Sequence, residues 1–137
     1  MEENIRFTKL NGSGNDFIFV DNMDQSIDAD KMIDFVRRVC RRGLSVGADG
    51  VMFIEPSERA DFKWRFFNAD GSEAEMCGNG IRCLARFLAD SDGDQPGRTW
   101  RTETMAGVIV PELCDDGQIR VDMGQPFLEP EDVPTTL

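Results

Sequence analysis

A chain of 137 residues with 26 acidic and 15 basic side chains, net formal charge -11, is sized for one domain and carries the wrong sign for non-specific nucleic-acid binding. Hydrophobic residues make up 40% of it, enough for an ordinary core, yet no stretch approaches the ~18 apolar residues of a membrane helix. The N-terminus, MEENIRFTKL, lacks the apolar run of a signal peptide, so the expected location is cytoplasmic, without a membrane partner. There is no histidine, which removes any Ser-His or Cys-His nucleophile within the chain. Cysteines stand at 40, 77, 83 and 114 without a Cys-x-x-Cys pair. Neither a zinc site nor disulfides are expected of that spacing in a reducing compartment. Chemistry must fall to Cys, Asp, Glu, Lys or backbone amides.

Residues 5–10 and 17–21 predict two strands separated by the glycine-rich turn NGSGND. An amphipathic helix is expected from about Asp28 to Arg42, apolar at Met32, Ile33, Val36, Val39 and Cys40 and stopped by Gly43. Arg37, Arg38, Arg41 and Arg42 suit the negative end of its dipole and read as a solvated helix end. Strands follow at 51–55 and 62–68, and the turn NADG leads through a short polar stretch to CGNG at 77–80. IRCLARFLA, 81–89, is apolar around most of its circumference and reads as a buried helix. After a polar loop at 90–97, three strands are expected in 99–104, 107–114 and 118–124, the last two joined by an Asp-Asp-Gly turn. The proline-rich acidic tail from Gln125 reads as a linker, so the domain spans 1–124 and the linker 125–137. The fold class is α+β, a curved, mostly antiparallel sheet wrapped around a central buried helix.

The segment FNADGSEAEMCGNGIRCLARFL, 67–88, carries the chemistry. Cys77 precedes a helix, where unpaired N–H groups and the dipole stabilise a thiolate. Gly78 and Gly80 put nothing in the way of an anion approaching their amides, and Asn68 and Asn79 add polar side chains. A thiolate beside a carboxylate cradle suits removal of a proton from an amino acid's α-carbon. Spacing alone does not decide the matter. A cysteine before a helix is more often inert and buried, and Asn-Gly pairs are ordinary turn chemistry.

The segments LNGSGNDFIFVDN, GLSVGADG, FNADGSEAEMCGNGIRCLARF and VDMGQP resemble diaminopimelate epimerase in order and spacing, along essentially the whole chain. The resemblance implies one half of a two-domain fold and a two-base mechanism that needs no pyridoxal cofactor and no metal. One thiolate removes the α-proton and a thiol on the opposite face returns one, interconverting LL- and meso-diaminopimelate for lysine and peptidoglycan precursors. Cys77 matches the first of the two cysteines. Gly78 and Asn79 would bind the reacting α-carboxylate, and Asn15 and Asn68 would hold the substrate's amino and carboxylate groups. Where some members carry a side-chain amide after Asp49, this chain has Gly50. The partners implied are the small-molecule amino acid and a second epimerase domain, which would supply the other cysteine; a homodimer is also compatible. Cys83 lies six residues beyond Cys77, about 9 Å along the helix and rotated away, so it cannot serve as that second group. These 137 residues alone are therefore expected to be inactive.

Two other readings compete. Proline racemases and phenazine-type isomerases share the superfamily, but the former typically have histidine where Asn79 stands and the latter lack the cysteine. A pyridoxal enzyme is disfavoured because Lys9, Lys31 and Lys63 sit in no phosphate-binding context. From another class, the isolated half is readable as a non-catalytic binding module.

Overall fold

The computed structural model describes residues 4–129 and 131–133. Its elements run β1 (Thr8–Gly12), β2 (Asn15–Asp21), α1 (Ala29–Val39), β3 (Gly50–Glu55), β4 (Phe62–Asn68), β5 (Glu73–Ala74), α2 (Gly78–Asp92), β6 (Thr102–Thr104), β7 (Gly107–Ile109), β8 (Glu112–Leu113) and β9 (Ile119–Arg120). The main sheet has the order β1-β2-β3-β4-β6-β7, with β5 also paired to β4. Its pairings are antiparallel except β2–β3 and β4–β6, which are joined across α1 and α2 respectively.

Alternation along the central strands explains why helices cover both faces. Phe17 and Phe19 of β2, Met52 and Ile54 of β3, and Phe62, Trp64 and Phe66 of β4 form one core with Ile81, Leu84, Ala85 and Ala89 of α2. The intervening Ile18, Val20, Val51, Phe53 and Phe67 form a second core with Met32, Val36 and Val39 of α1. Strands buried on both sides need near-continuous apolar sequence, and FIFV and VMFI supply it. Each of the largest of these side chains contributes roughly 1.5–3 kcal/mol by leaving water. The β8–β9 hairpin adds Leu113 and Ile119 to the α2 core, so that helix is packed by the sheet and the hairpin together. The mostly antiparallel sheet around a buried helix is the architecture that the sequence implies.

Several boundaries differ from expectation for identifiable reasons. The hairpin between β1 and β2 tightens to Ser13-Gly14, both with positive φ (53° and 93°), the backbone of a two-residue turn whose twist matches its strands. Helix α1 ends at Val39 with Cys40 as its cap, leaving Arg41 and Arg42 beyond it. Arg42 turns to Asp16 and Asp49, and Arg37 donates to the Asp70 carbonyl at 2.7 Å, so this is no simple solvated helix end. Ile33, counted on the apolar face, is exposed. Helix α2 reaches further than 81–89 at both ends, because Cys77 caps it one residue before Gly78 and its last turn runs on to Asp92. The expected strand 107–114 breaks at Pro111, which has no N–H to give a ladder, and its halves join different sheets. The polar stretch after NADG forms β5, fixed to β4 by a two-pronged Arg65–Glu73 ion pair at 2.8 and 2.9 Å. From Gln125 onward the described residues form no helix or strand; part of the expected linker lies outside the described residues.

Candidate active site

The register brings four chain segments to one end of the sheet. Gly12 pairs with Asn15, Phe17 with Gly50, and Gly50 with Asn68, so the end of β1, the start of β2, the start of β3 and the end of β4 coincide there. The first turn of α2 packs against this end. A Cβ built on Gly12 would lie 2.6 Å from Cys83 Sγ and 3.1 Å from the Asn79 carbonyl oxygen, so the absence of a side chain at 12 lets the helix in. A Cβ on Gly80 would meet the end of Met52 and the rim of the Trp64 indole, which seats the same turn on the sheet.

Cys77 is the N-cap of α2. Its backbone is extended (φ -141°, ψ 113°), and its half-buried sulfur accepts from the Gly80 N–H at 3.4 Å. The Cys77 carbonyl takes the Ile81 N–H at 2.9 Å, the first bond of the helix. The amides of Gly78 and Asn79 belong to the first turn and have no acceptor within the helix. No acidic residue in that turn offsets the positive end of the dipole. A Cβ on Gly78 would meet nothing nearer than Met123 Cε at 3.8 Å, so the approach to these amides is open.

Asn79 and Asn15 lie 64 positions apart and touch: the Asn79 amide donates to Asn15 Oδ1 at 2.7 Å. Arg82 donates to Asn79 Oδ1, and to Ser13 Oγ at 3.1 Å. Asn15 in turn donates to Asp49 Oδ2 at 3.1 Å, which also takes the Asp16 N–H at 3.1 Å. Arg42 bridges Asp16 and Asp49, and Lys9 lies 2.9 Å from Asp16. The Arg42 hydrogen bond, helped by Lys9 and opposed by partial burial, holds the Asp16 carboxyl well below the usual carboxylate range. Asn68 stands at the same end of the sheet, but its side chain donates to Ser72 Oγ at 3.1 Å inside the NADG turn rather than joining this network. Of the residues expected from sequence, Cys77, Gly78, Asn79 and Asn15 are thus gathered directly, and Asn68 by strand register. Asp49, Arg42 and Arg82 were not among the site residues expected from sequence. Only Arg82, three positions after Asn79 on a helix, carried a local signal.

Among the described residues no group of three or more Cys, Asp or Glu side chains is placed to hold a metal ion. A concavity of about 580 Å³ lies at the other end of β2, lined by Val20, Asp21 and Ile27, away from Cys77. Its size carries less weight than the convergence of groups at α2.

The sequence model of the family described as "Diaminopimelate epimerase" matches residues 7–128. The chain belongs to the diaminopimelate epimerase family. It is 50% identical over 139 residues to the diaminopimelate epimerase of Prochlorococcus marinus, covering 97% of this chain and 45% of that protein. Against the chloroplastic diaminopimelate epimerase of Oryza sativa subsp. japonica the figures are 47% over 137 residues, 99% and 38%. The chain spans about half the length, or less, of these epimerase relatives. In fold it matches a hydroxyproline epimerase from Agrobacterium vitis (TM-score 0.65, 17% identity, 87% of this chain and 41% of that one). A phenazine biosynthesis protein from Bacillus anthracis matches similarly (TM-score 0.61, 20% identity, 85% and 38%). Among the described residues no helix is long and apolar enough to cross a membrane.

The environments of the thiols bear on the epimerase reading. Burial pushes the Cys83 thiol up, with the neighbouring Cys77 charge adding to it; burial, then Asp16, pushes Cys40 up. Cys77 alone combines partial exposure with a helix N-terminus and an open, glycine-lined approach. Brief alkylation at neutral pH followed by peptide mapping is expected to mark Cys77 first. Earlier labelling of Cys40, Cys83 or Cys114 in the folded protein contradicts its standing as the reactive thiol.

Proposed function

We propose that this chain is the first half of a diaminopimelate epimerase, and that Cys77 is one of two acid/base groups acting on the substrate α-carbon without a cofactor. The observation that carries this reading is Cys77 at the N-cap of α2, beside the free amides of Gly78 and Asn79. In the reaction, a carboxylate at those amides would set the α-carbon near the sulfur. Cys77, as a thiolate, takes the α-proton, and the carbanionic charge spreads into the carboxylate, where the amides and helix dipole stabilise it. A thiol from the second domain returns a proton to the opposite face. Cys77 is then the thiol and its partner the thiolate, the state that runs the reverse reaction, and proton exchange resets the pair for the next forward turnover. Asn15, Asn79 and, at the edge of the same site, Asn68 hold the substrate's polar groups. The reading makes residues 1–124 the first domain and 125–137 the passage toward the second.

The test is conversion of LL- to meso-diaminopimelate by the 137 residues alone, and then mixed with a separately expressed second half from a relative. The expected result is no turnover alone and turnover on mixing, since a stereochemical inversion needs groups on both faces of one carbon in a water-excluding cleft. Robust turnover by the chain alone would place a second acid/base within it and overturn the division of labour.

A further inference from the structure

We infer that Asp49, held by Arg42, is a positioning residue that fixes which way the amides of Asn15 and Asn79 face. Donor and acceptor polarity sets the order of these groups. At one end of the chain of hydrogen bonds stands Arg82, which can only donate; at the other stands the Asp49 carboxylate, both of whose oxygens accept. Between them are two amides, each able in isolation to present either its oxygen or its NH2. With Arg82 donating to Asn79 Oδ1, Asn79 must give its N–H to Asn15 Oδ1, and Asn15 must give its own to Asp49. Only one polarity satisfies all three links. Asp49 keeps its place because Arg42 donates to its other oxygen at 3.0 Å and the Asp16 N–H donates to the same oxygen as Asn15. Arg42 is itself anchored on Asp16, and both carboxylates drive its protonated form, already permanent, further up.

The consequence rests on the proposed role of Asn15 and Asn79 as substrate ligands. The Asn79 amide oxygen faces Arg82 and the Asn15 amide oxygen faces Asn79, and among the described residues each NH2 donates one hydrogen and keeps the other uncommitted. With the N–H groups of Gly78 and Asn79, which have no acceptor within the helix, this polarity leaves donors rather than acceptors to spare beside Cys77, and a surplus of donors favours a carboxylate over an ammonium group.

The experiment uses isotopically labelled chain and side-chain amide NMR. In the unsubstituted chain, scalar couplings across the hydrogen bonds are expected from Asn15 Nδ2 to the Asp49 carboxyl carbon and from Asn79 Nδ2 to the Asn15 amide carbon. In Asp49→Asn the acceptor-only end is gone, so both orders become possible. The NH2 signals of Asn15 and also of Asn79, which does not touch residue 49, are then expected to shift and broaden. Unchanged Asn79 signals in a folded Asp49→Asn variant, or missing couplings in the unsubstituted chain, overturn the inference; the couplings decide it even where the variant does not fold. In the reconstituted enzyme, Asp49→Asn is expected to lower kcat/KM by on the order of tenfold, mainly through KM, with Cys77 alkylation in the substrate-free protein little changed. NMR changes without the kinetic loss would leave the positioning intact and remove the substrate role of the two asparagines.

Discussion

Cys77→Ala in the two-domain enzyme is expected to reduce epimerisation by roughly 100- to 10,000-fold, the range a positioned acid/base supplies. The fold should survive, because the sulfur is half-buried and the hydrogen bond it takes from the Gly80 N–H at 3.4 Å is to a weak acceptor. Loss of an N-cap acceptor costs about 0.5–2 kcal/mol, and a weak sulfur acceptor belongs at the low end. Cys77→Ser separates the two functions of the position. A hydroxyl caps a helix at least as well as a thiol, so stability should hold or rise, while the rate should still collapse because serine is a far weaker base. Exchange of the substrate α-proton with deuterated solvent reads the step directly. Near-normal exchange in the alanine variant would remove Cys77 from the mechanism.

Gly50→Ala is expected to be the most damaging small substitution in the sheet. The added Cβ would sit 2.6 Å from the Phe67 carbonyl oxygen and 2.5 Å from the Phe66 ring. A backbone oxygen in a paired strand cannot swing aside, so β3 and β4 must part or shift register locally. Overpacking of this kind costs about 1–3 kcal/mol. For a domain of this size that is a fall in Tm of roughly 3–10 °C. Gly78→Ala is the comparison, since its Cβ meets only Met123 at 3.8 Å, and its Tm should stay close to the parent. Equal melting of all three proteins would show that the β3–β4 pairing has slack where the packing leaves none.

The two-sided burial of β2 and β3 was legible because FIFV and VMFI state it in residue type alone, while the alternation in FKWRFF marks β4 as buried mainly on one face. Cys77 was legible as a helix cap, although the glycines at 78 and 80 hid the true start of α2 by weakening its helical pattern. What no window of sequence could show was the partner of each polar side chain. Asn15 and Asp49 are 34 positions apart, Arg42 and Asp16 are 26, and Asn79 and Asn15 are 64. Their meeting depends on the parallel β2–β3 pairing and on Gly12 admitting a helix, neither of which has a short-range signature. Arg42 shows the difficulty well: next to a helix end its charge already had an ordinary explanation.

The long reach of those contacts bears on how the site comes into being. The strand pairs joined by short connections are β1–β2, β3–β4, β4–β5, β6–β7 and β8–β9, and none of them contains both members of any link in the Arg82–Asn79–Asn15–Asp49 chain. The Asn15–Asp49 link needs β2 and β3 paired across α1, and the Asn79–Asn15 link needs α2 docked on the sheet as well. Non-local contacts of this kind close late, after loop entropy has been overcome. During folding, Cys77 and its amides are thus present as chemistry before they are oriented as a site, and a partly folded chain carries a thiol that is exposed but not yet directed.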